Sequence, residues 1–167
     1  MNGDEFAARC GPYLDQVWRQ LRAMGVHESQ VDDATQEVFL IAHSKIEQFQ
    51  GRAQLGTWLY AIAYRVGCNF RRKVRRETAS ELDENEYRAV DGDPEQSLRD
   101  KRAAIMVERF CAGLSEKLRD VFVLCLLEQQ PASEVAQILG VPENTVYSRV
   151  RIVRAEFRRM LEERELS

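Results

Sequence analysis

The stretch SEVAQILGVPENTVYSR, residues 133–149, decides the fold of the second half of this chain. The apolar residues before Gly140 recur at helical spacing, and the valines after it do so again. Glycine reaches the positive φ that ends a helix, and Pro142 suits the first turn of the next one. The stretch therefore predicts two helices joined by a tight turn, a helix-turn-helix.

The second helix of this motif keeps polar and basic side chains on the face opposite its valines. When such a motif binds DNA, its second helix lies in the major groove, where amides, hydroxyls and guanidiniums meet base edges and phosphates. An ordinary helical hairpin with a solvated basic face is the alternative interpretation. The predicted contacts with duplex DNA come from Asn144, Thr145, Tyr147, Ser148, Arg149, Arg151 and Arg154.

The composition favours an all-α protein of two small domains. The chain has 167 residues, 44% of them hydrophobic, and shows no run of alternating polar and apolar residues typical of strands. Its beginning lacks a basic segment followed by an apolar one, and no apolar run is long enough to cross a membrane. We therefore expect a cytoplasmic protein with no direct membrane insertion. The four cysteines are scattered without a Cys-x-x-Cys pair, so neither a zinc site nor another cofactor is expected.

Charge is strongly segregated along the chain, although the net charge is only −3. Residues 51–76 carry seven basic and no acidic side chains, whereas residues 77–100 carry two basic and nine acidic ones. The first of these segments suits phosphate binding, and the helix-turn-helix supplies a second basic zone. The acidic segment is too polar to bury a core, so it predicts a flexible linker.

These patterns predict an N-terminal helical domain over 1–76, an acidic linker over 77–97 and a C-terminal helix-turn-helix domain over 98–167. In the first domain, one helix is expected from Phe6 to Met24, ending at Gly25. A second helix is expected over about 29–48, and a third begins at Thr57, which suits an N-cap. The second domain is predicted to open with a helix to about Cys111, followed by an apolar helix over 115–128.

Four segments, in order, resemble regions of bacterial sigma factors. The segment DATQEVFL (33–40) resembles the region that binds core RNA polymerase. The segment TWLYAIA (57–63), which runs into a basic cluster, resembles the promoter-melting helix. The segment LSEKLRDVF (114–122) and the helix-turn-helix resemble the promoter-reading domain. With only these two domains, the chain resembles an extracytoplasmic-function (ECF) sigma factor, the smallest type.

The resemblance implies a docking face for the clamp helices of the largest polymerase subunit. An isolated acidic helix face would be read as merely solvated. Phe39 is expected to be exposed beside Gln36, as an interface hot spot would require. The implied polymerase-binding residues are Asp33, Gln36, Glu37, Phe39 and Leu40.

The resemblance also implies that residues 50–72 capture the melted minus-ten strand. Basic groups interleaved with aromatic rings suit single-stranded DNA, and the loop over 50–55 would hold a flipped base. Tyr60 and Tyr64 are the expected surface rings, whereas Trp58 is expected to be partly in the core. The implied DNA-binding residues are Gly51, Arg52, Gln54, Trp58, Tyr60, Tyr64, Arg65, Asn69, Arg71 and Arg72.

Four of the positions that depart from the pattern of that family bear on DNA contacts. Arg65 and Asn69 stand where the family commonly has Asn and Asp, and Tyr147 and Ile152 replace usual basic residues. We therefore expect altered base preferences at both promoter elements.

The implied function is a non-enzymatic subunit that binds core RNA polymerase and promoter DNA, both as duplex and as melted strand. An anti-sigma factor is a further implied partner. The alternative is a stand-alone helix-turn-helix regulator that binds duplex DNA without polymerase. A small nuclease holding magnesium at Asp32, Asp33 and Glu37 is a weaker alternative, because no second catalytic cluster accompanies these carboxylates.

Overall fold

The computed structural model of the protein describes residues 2–77 and 94–165. Within these two ranges every regular element is helical, so the predicted all-α fold is confirmed. The chain divides into two compact units, Met1–Arg109 and Phe110–Ser167. The predicted linker falls mostly on residues 78–93, which lie outside the described residues.

The helices are numbered in chain order. Residues 11–13 and 46–48 form single 3-10 turns, and residues 122–127 form a π turn. The α-helices are α1 (Gly3–Cys10), α2 (Leu14–Ala23), α3 (Glu28–Lys45), α4 (Leu55–Glu77), α5 (Pro94–Gly113), α6 (Glu116–Val121), α7 (Ala132–Leu139) and α8 (Glu143–Glu165).

Helices α2, α3 and α4 form the core of the first unit. Their inward positions recur at helical spacing, as predicted for α3, and Val31, Ala34 and Val38 are fully enclosed. Gly67 allows α4 to approach α2 closely, because a Cβ at this position would lie 2.9 Å from the Cε of Met24. The core has no room for a larger residue there unless Met24 moves.

The first predicted helix is interrupted, so the expectation of one continuous helix was wrong. A 3-10 turn at Gly11–Tyr13 separates α1 from α2. Pro12 lacks an amide hydrogen, and its ring would clash with the carbonyl four residues earlier inside a helix. The break leaves Leu14 48% exposed, although its spacing predicted burial. The predicted end of the helix is confirmed, because Gly25 has a φ of +90°.

Helix α4 begins at Leu55, two residues before the predicted N-cap Thr57. The amide of Trp58 donates to the carbonyl of Gln54 at 3.1 Å, which closes the first turn. Thr57 therefore lies inside the first turn and does not cap the helix.

A buried ion pair within the first unit joins α5 to the end of α2. The Nη2 of Arg22 lies 2.9 Å from the Oε2 of Glu108, and its Nη1 donates to the carbonyl of Val26 at 2.9 Å. The Arg22 side chain is only 4% exposed. The division between the two compact units falls inside α5, after Arg109. The predicted start of the second domain, at residue 98, lies in the same helix.

The second unit is built around three phenylalanine rings. The ring centroids of Phe110, Phe122 and Phe157 lie 5.0 to 5.5 Å apart, within the range for favourable aromatic pairs. The predicted apolar helix over 115–128 is present as α6 and the π turn. In that turn the amide of Glu128 donates to the carbonyl of Val123, five residues earlier, at 2.9 Å.

Candidate protein and nucleic-acid interfaces

The helix-turn-helix is present as α7, a glycine turn and α8. Gly140 has φ +65° and ψ 38°, the left-handed conformation predicted for it. The amide of Val141 donates to the carbonyl of Ala136 at 3.1 Å, which satisfies an end carbonyl of α7. Val146 and Val153 are fully buried, so α8 is held along one face and presents the other to solvent.

The open face of α8 contains most of the residues predicted to contact duplex DNA. Thr145 and Arg149 are half-buried. The Ser148 hydroxyl donates to the carbonyl of Thr145 at 3.0 Å. Exposed on this face are Asn144, Tyr147, Ser148, Arg151 and Arg154.

Glu143 belongs to the same face and was missed by the sequence analysis. The Tyr147 hydroxyl donates to the Oε1 of Glu143 at 3.0 Å, and Tyr147 is 56% exposed. This hydrogen bond, together with the negative charge of the carboxylate, raises the pKa of Tyr147. The sequence does contain a signal for this pair: Glu143 and Tyr147 are four residues apart, and residues at that spacing are neighbours on one face of a helix.

A line of polar residues runs along the exposed side of α4. Arg65, Asn69 and Arg72 are exposed and follow one another at intervals of four and three residues. At 1.5 Å of rise per residue, these side chains start about 6 and 4.5 Å apart along the axis. Such a row can follow a nucleic-acid backbone.

Arg71 is turned away from this row. Its Nη1 donates to the carbonyl of Met24 at 3.0 Å, and its Nη2 lies 3.3 Å from the Sγ of Cys68. The guanidinium therefore bonds a carbonyl at the C-terminal end of α2, where cations are favoured. Of the two neighbouring arginines predicted to contact DNA, only Arg72 is exposed.

The aromatic residues of α4 are distributed differently from the prediction. Tyr60 is 4% exposed, and its hydroxyl donates to the Oε1 of Gln16 at 2.7 Å. Its ring meets that of Tyr13 edge-on at 6.3 Å, so the expectation of a surface Tyr60 was wrong: α2 and the turn before it cover this side of α4. Trp58 is half-buried and packs against Phe49 at 5.2 Å, and Tyr64 is also half-buried.

The turn before α4 presents the remaining residues predicted to hold a flipped base. Gly51, Arg52 and Gln54 are all exposed. Gly51 has a φ of +68°, which a residue with a side chain adopts only under strain. Apart from the adjoining residues, no atom of the described chain lies within 4 Å of the position that a Cβ would occupy on Gly51. The backbone conformation therefore favours glycine at this position, whereas the surrounding space would admit a side chain.

The outer face of α3 combines polar groups with one exposed apolar side chain. Asp33 and Gln36 are exposed and Glu37 is half-buried. Leu40 is 63% exposed, the largest exposed fraction among the large apolar side chains of the described residues. Phe39 is half-buried against the core, so the expectation of an exposed ring was wrong.

The neighbouring carboxylate, Asp32, accepts a hydrogen bond from the indole of Trp18 at 2.9 Å. Over residues 2–77 and 94–165, no group of three or more His, Cys, Asp or Glu side chains is arranged to hold a metal ion.

None of the described helices is both long enough and apolar enough to span a bilayer.

Two protein-family models match separate parts of this chain. The family model for Sigma-70 region 2 matches residues 11–77, and that for Sigma-70, region 4 matches residues 105–156. The ECF RNA polymerase sigma factor SigW of Bacillus subtilis is 27% identical over 95% of this chain and 89% of its own length. SigC of Mycobacterium tuberculosis is 30% identical over 89% of this chain and 79% of its own length. The ECF RNA polymerase sigma-E factor of Haemophilus influenzae is 32% identical over 75% of this chain and 71% of its own length.

Two solved structures share the fold. CnrH, determined in complex with the cytosolic domain of CnrY, has a TM-score of 0.70 at 19% identity and covers 97% of this chain and 90% of its own. The sigma factor RpoE of Bartonella quintana, determined with the anti-sigma factor NepR, has a TM-score of 0.73 at 16% identity and covers 95% of this chain and 97% of its own. Sigma-70 regions 2 and 4 are both matched within this chain, and the Haemophilus influenzae relative, at 32% identity, is matched over more than two thirds of each protein. The chain therefore belongs to the ECF sigma factors of RNA polymerase.

Proposed function

We propose that this chain binds core RNA polymerase and directs promoter-specific transcription initiation, without catalysing a reaction itself. The observation that carries the proposal is the presence, in one chain, of a Sigma-70 region 2 match and a Sigma-70 region 4 match. A stand-alone regulator would need a DNA-binding domain such as region 4, but it would not need region 2. Such a subunit works where the polymerase is, in the cytoplasm.

The outer face of α3 is the proposed docking surface for polymerase. Interface hot spots combine a desolvated apolar anchor with surrounding polar groups. Leu40 supplies an exposed apolar group, and Gln36 and Asp33 lie one and two turns before it on the same helix. Phe39 and Glu37, which the resemblance also assigns to this surface, are half-buried on the same helix.

Promoter opening is assigned to α4 and the turn before it. Arg65, Asn69 and Arg72 provide the polar row for the DNA backbone, and Trp58 and Tyr64 are half-buried rings on the same helix. The exposed turn with Arg52 and Gln54 is the proposed pocket for a base taken out of the stack. Tyr60 and Arg71 support the scaffold, because their polar atoms already bond to Gln16 and Met24.

Duplex recognition is assigned to the open face of α8. Arg151 and Arg154 are exposed and can neutralise phosphates, while Asn144 and Ser148 stand near the beginning of the helix, where base contacts are made. Two DNA sites held by one polymerase reinforce each other, because the second contact becomes effectively intramolecular. The free chain is therefore expected to bind promoter DNA weakly.

An anti-sigma factor is the proposed regulatory partner. The solved structures of CnrH and of RpoE that share this fold were both determined with a bound partner protein, which in the second case is described as an anti-sigma factor. A partner that covers the outer face of α3 would prevent polymerase from binding there.

In vitro transcription tests the proposal. Core polymerase is supplied with a pool of promoter templates, with and without the chain, and the transcripts are sequenced. We expect initiation at a defined subset of templates only when the chain is present. Specific, tight promoter binding by the chain alone at physiological salt, with no effect on initiation, would instead identify a stand-alone regulator.

Two aspartate variants place the docking surface. Asp33→Ala removes an exposed carboxylate from the proposed face, and Asp15→Ala removes one from α2. We expect initiation to fall with Asp33→Ala, and further when Gln36→Ala is added, whereas Asp15→Ala stays near the wild-type level. If all these variants support equal initiation at limiting polymerase, the outer face of α3 is not part of the polymerase interface.

A further inference from the structure

The open face of α8 carries a hydrogen-bonded pair, Glu143 and Tyr147. The proposed role in duplex recognition does not yet explain why a carboxylate is present there. Glu143 is the first residue of α8, Tyr147 lies one turn later, and both are exposed. The hydroxyl of Tyr147 donates to the Oε1 of Glu143 at 3.0 Å. A carboxylate on a surface that meets DNA is disfavoured by the phosphates, so its presence requires a compensating partner.

The position of the pair on the helix offsets part of this repulsion. The first turn of a helix stabilises a negative charge through the helix dipole. Arg151 and Arg154, farther along the open face of α8, keep that face basic. Residues near the start of the second helix are those that reach base edges in a helix-turn-helix complex, so the carboxylate is placed to face a base.

The hydrogen bond also fixes which kind of base edge the pair can accept. A tyrosine hydroxyl has one proton, and here Glu143 receives it. The same hydrogen bond raises the pKa of Tyr147, so the hydroxyl stays protonated. The oxygen atoms of the pair therefore have only lone pairs available for a DNA base. An ionised carboxylate only accepts hydrogen bonds.

In the major groove, only the exocyclic amino groups of cytosine and adenine offer hydrogen to such an acceptor. Guanine presents two acceptors there and thymine presents one, together with a methyl group. Adenine carries the N7 lone pair beside its amino group, which opposes a carboxylate, whereas cytosine does not. Cytosine is therefore the best partner.

We infer that Glu143, oriented by Tyr147, determines the sequence preference of α8 by requiring a cytosine at the base opposite it in the duplex promoter element. This inference rests on the proposed function, because it assigns a preference to a helix that must first bind promoter DNA. Glu143 is the specificity residue, and Tyr147 is the positioning residue that holds the carboxylate toward the groove.

The experiment uses polymerase holoenzyme on templates in which the upstream, duplex promoter element is randomised, with transcripts counted by sequencing. The variants are Glu143→Gln, which removes the charge at nearly constant shape, and Tyr147→Phe, which removes only the hydroxyl. Glu163→Gln is the matched control, because it removes an exposed carboxylate from the far end of the same helix.

For the wild type we expect about a tenfold or greater preference for cytosine over guanine at one position, as is typical of a good base contact. Glu143→Gln should shift that position toward adenine, which glutamine pairs with through N6 and N7, and leave the other positions unchanged. Tyr147→Phe should weaken the cytosine preference about threefold or more, and Glu163→Gln should have the wild-type profile.

Two results would overturn the inference. One is an unchanged base profile in Glu143→Gln. The other is a uniform rise in transcription from all templates in that variant, which would mean that the carboxylate only repels phosphates. A failure of the proposed function is distinct from both, because the wild-type chain would then support no initiation from any template.

Discussion

Replacing Leu40 with alanine should weaken binding to core polymerase by a measurable and calculable amount. Fully burying a leucine side chain contributes about 1.5–3 kcal/mol relative to leaving it exposed. Leu40 is 63% exposed in the free chain, so most of this contribution is still available to a partner. Allowing for the methyl group that alanine retains, we expect Leu40→Ala to lose roughly 1–2 kcal/mol of binding free energy, or about 5- to 30-fold in Kd.

Leu14 provides the matched control for this measurement. It is the same residue type, 48% exposed, and lies at the start of α2, outside the proposed docking surface. The assay is equilibrium competition of each unlabelled variant against the fluorescently labelled wild-type chain for core polymerase, read by anisotropy. Urea unfolding of both variants should stay within about 0.5 kcal/mol of the wild type, because neither side chain is in the core.

The reasoning is refuted if Leu40→Ala competes within twofold of the wild type. It is equally refuted if Leu14→Ala weakens binding as much as Leu40→Ala does, since exposed leucines in general would then explain the loss.

Three further outcomes test individual contacts. Glu108→Ala leaves the buried Arg22 guanidinium without its counter-ion, so we expect the free energy of unfolding in urea to fall by roughly 2–4 kcal/mol. A free energy of unfolding equal to that of the wild type would contradict a stabilising ion pair. Tyr60→Phe removes the hydrogen bond to Gln16 and should lower the free energy of unfolding by about 1 kcal/mol. Promoter opening, measured by permanganate footprinting, should stay unchanged. A loss of promoter opening would show that Tyr60 contacts the DNA. Burial raises the pKa of the Cys125 thiol from 9.0 to about 11, so its thiolate fraction at pH 8 is about a hundredfold below that of an unperturbed thiol. We expect slow alkylation by iodoacetamide in the folded chain and fast alkylation in urea, and fast labelling without urea would disprove the burial. Because the folded pKa exceeds the unfolded one, the stabilisation from the neutral thiol is present below pH 9 and is lost as the pH rises toward 11.

The elements that the sequence predicts well are those with local causes. The turn at Gly140 needs only a residue that tolerates a φ of +65°, and the chain supplies it at the right place. The inward face of α3 follows from residue spacing alone, and Val31, Ala34 and Val38 are buried as expected.

The side chains that the sequence misplaced lie at the edges of apolar stripes. Phe39 and Tyr60 each adjoin a buried position, and either side of the helix would have been compatible with their spacing. Neighbouring elements, distant in sequence, decide between the two sides: Gln16 and the ring of Tyr13 cover Tyr60. Arg71 is a similar case, because the carbonyl that its guanidinium reaches lies 47 residues away in the chain.

The π turn at Phe122–Leu127 has a geometric consequence for the DNA-reading half of the chain. A π turn holds one residue more than an ordinary helical turn, so deleting one residue there would leave a regular helix of normal hydrogen bonding. The same deletion would rotate everything after it by about 100°, the angle per residue of an α-helix. Val135 and Val146 would then lose the apolar surface that encloses them. The extra residue of the π turn therefore sets the rotation between α6 and the helices that follow it. The orientation of α8 within the second unit depends on that residue.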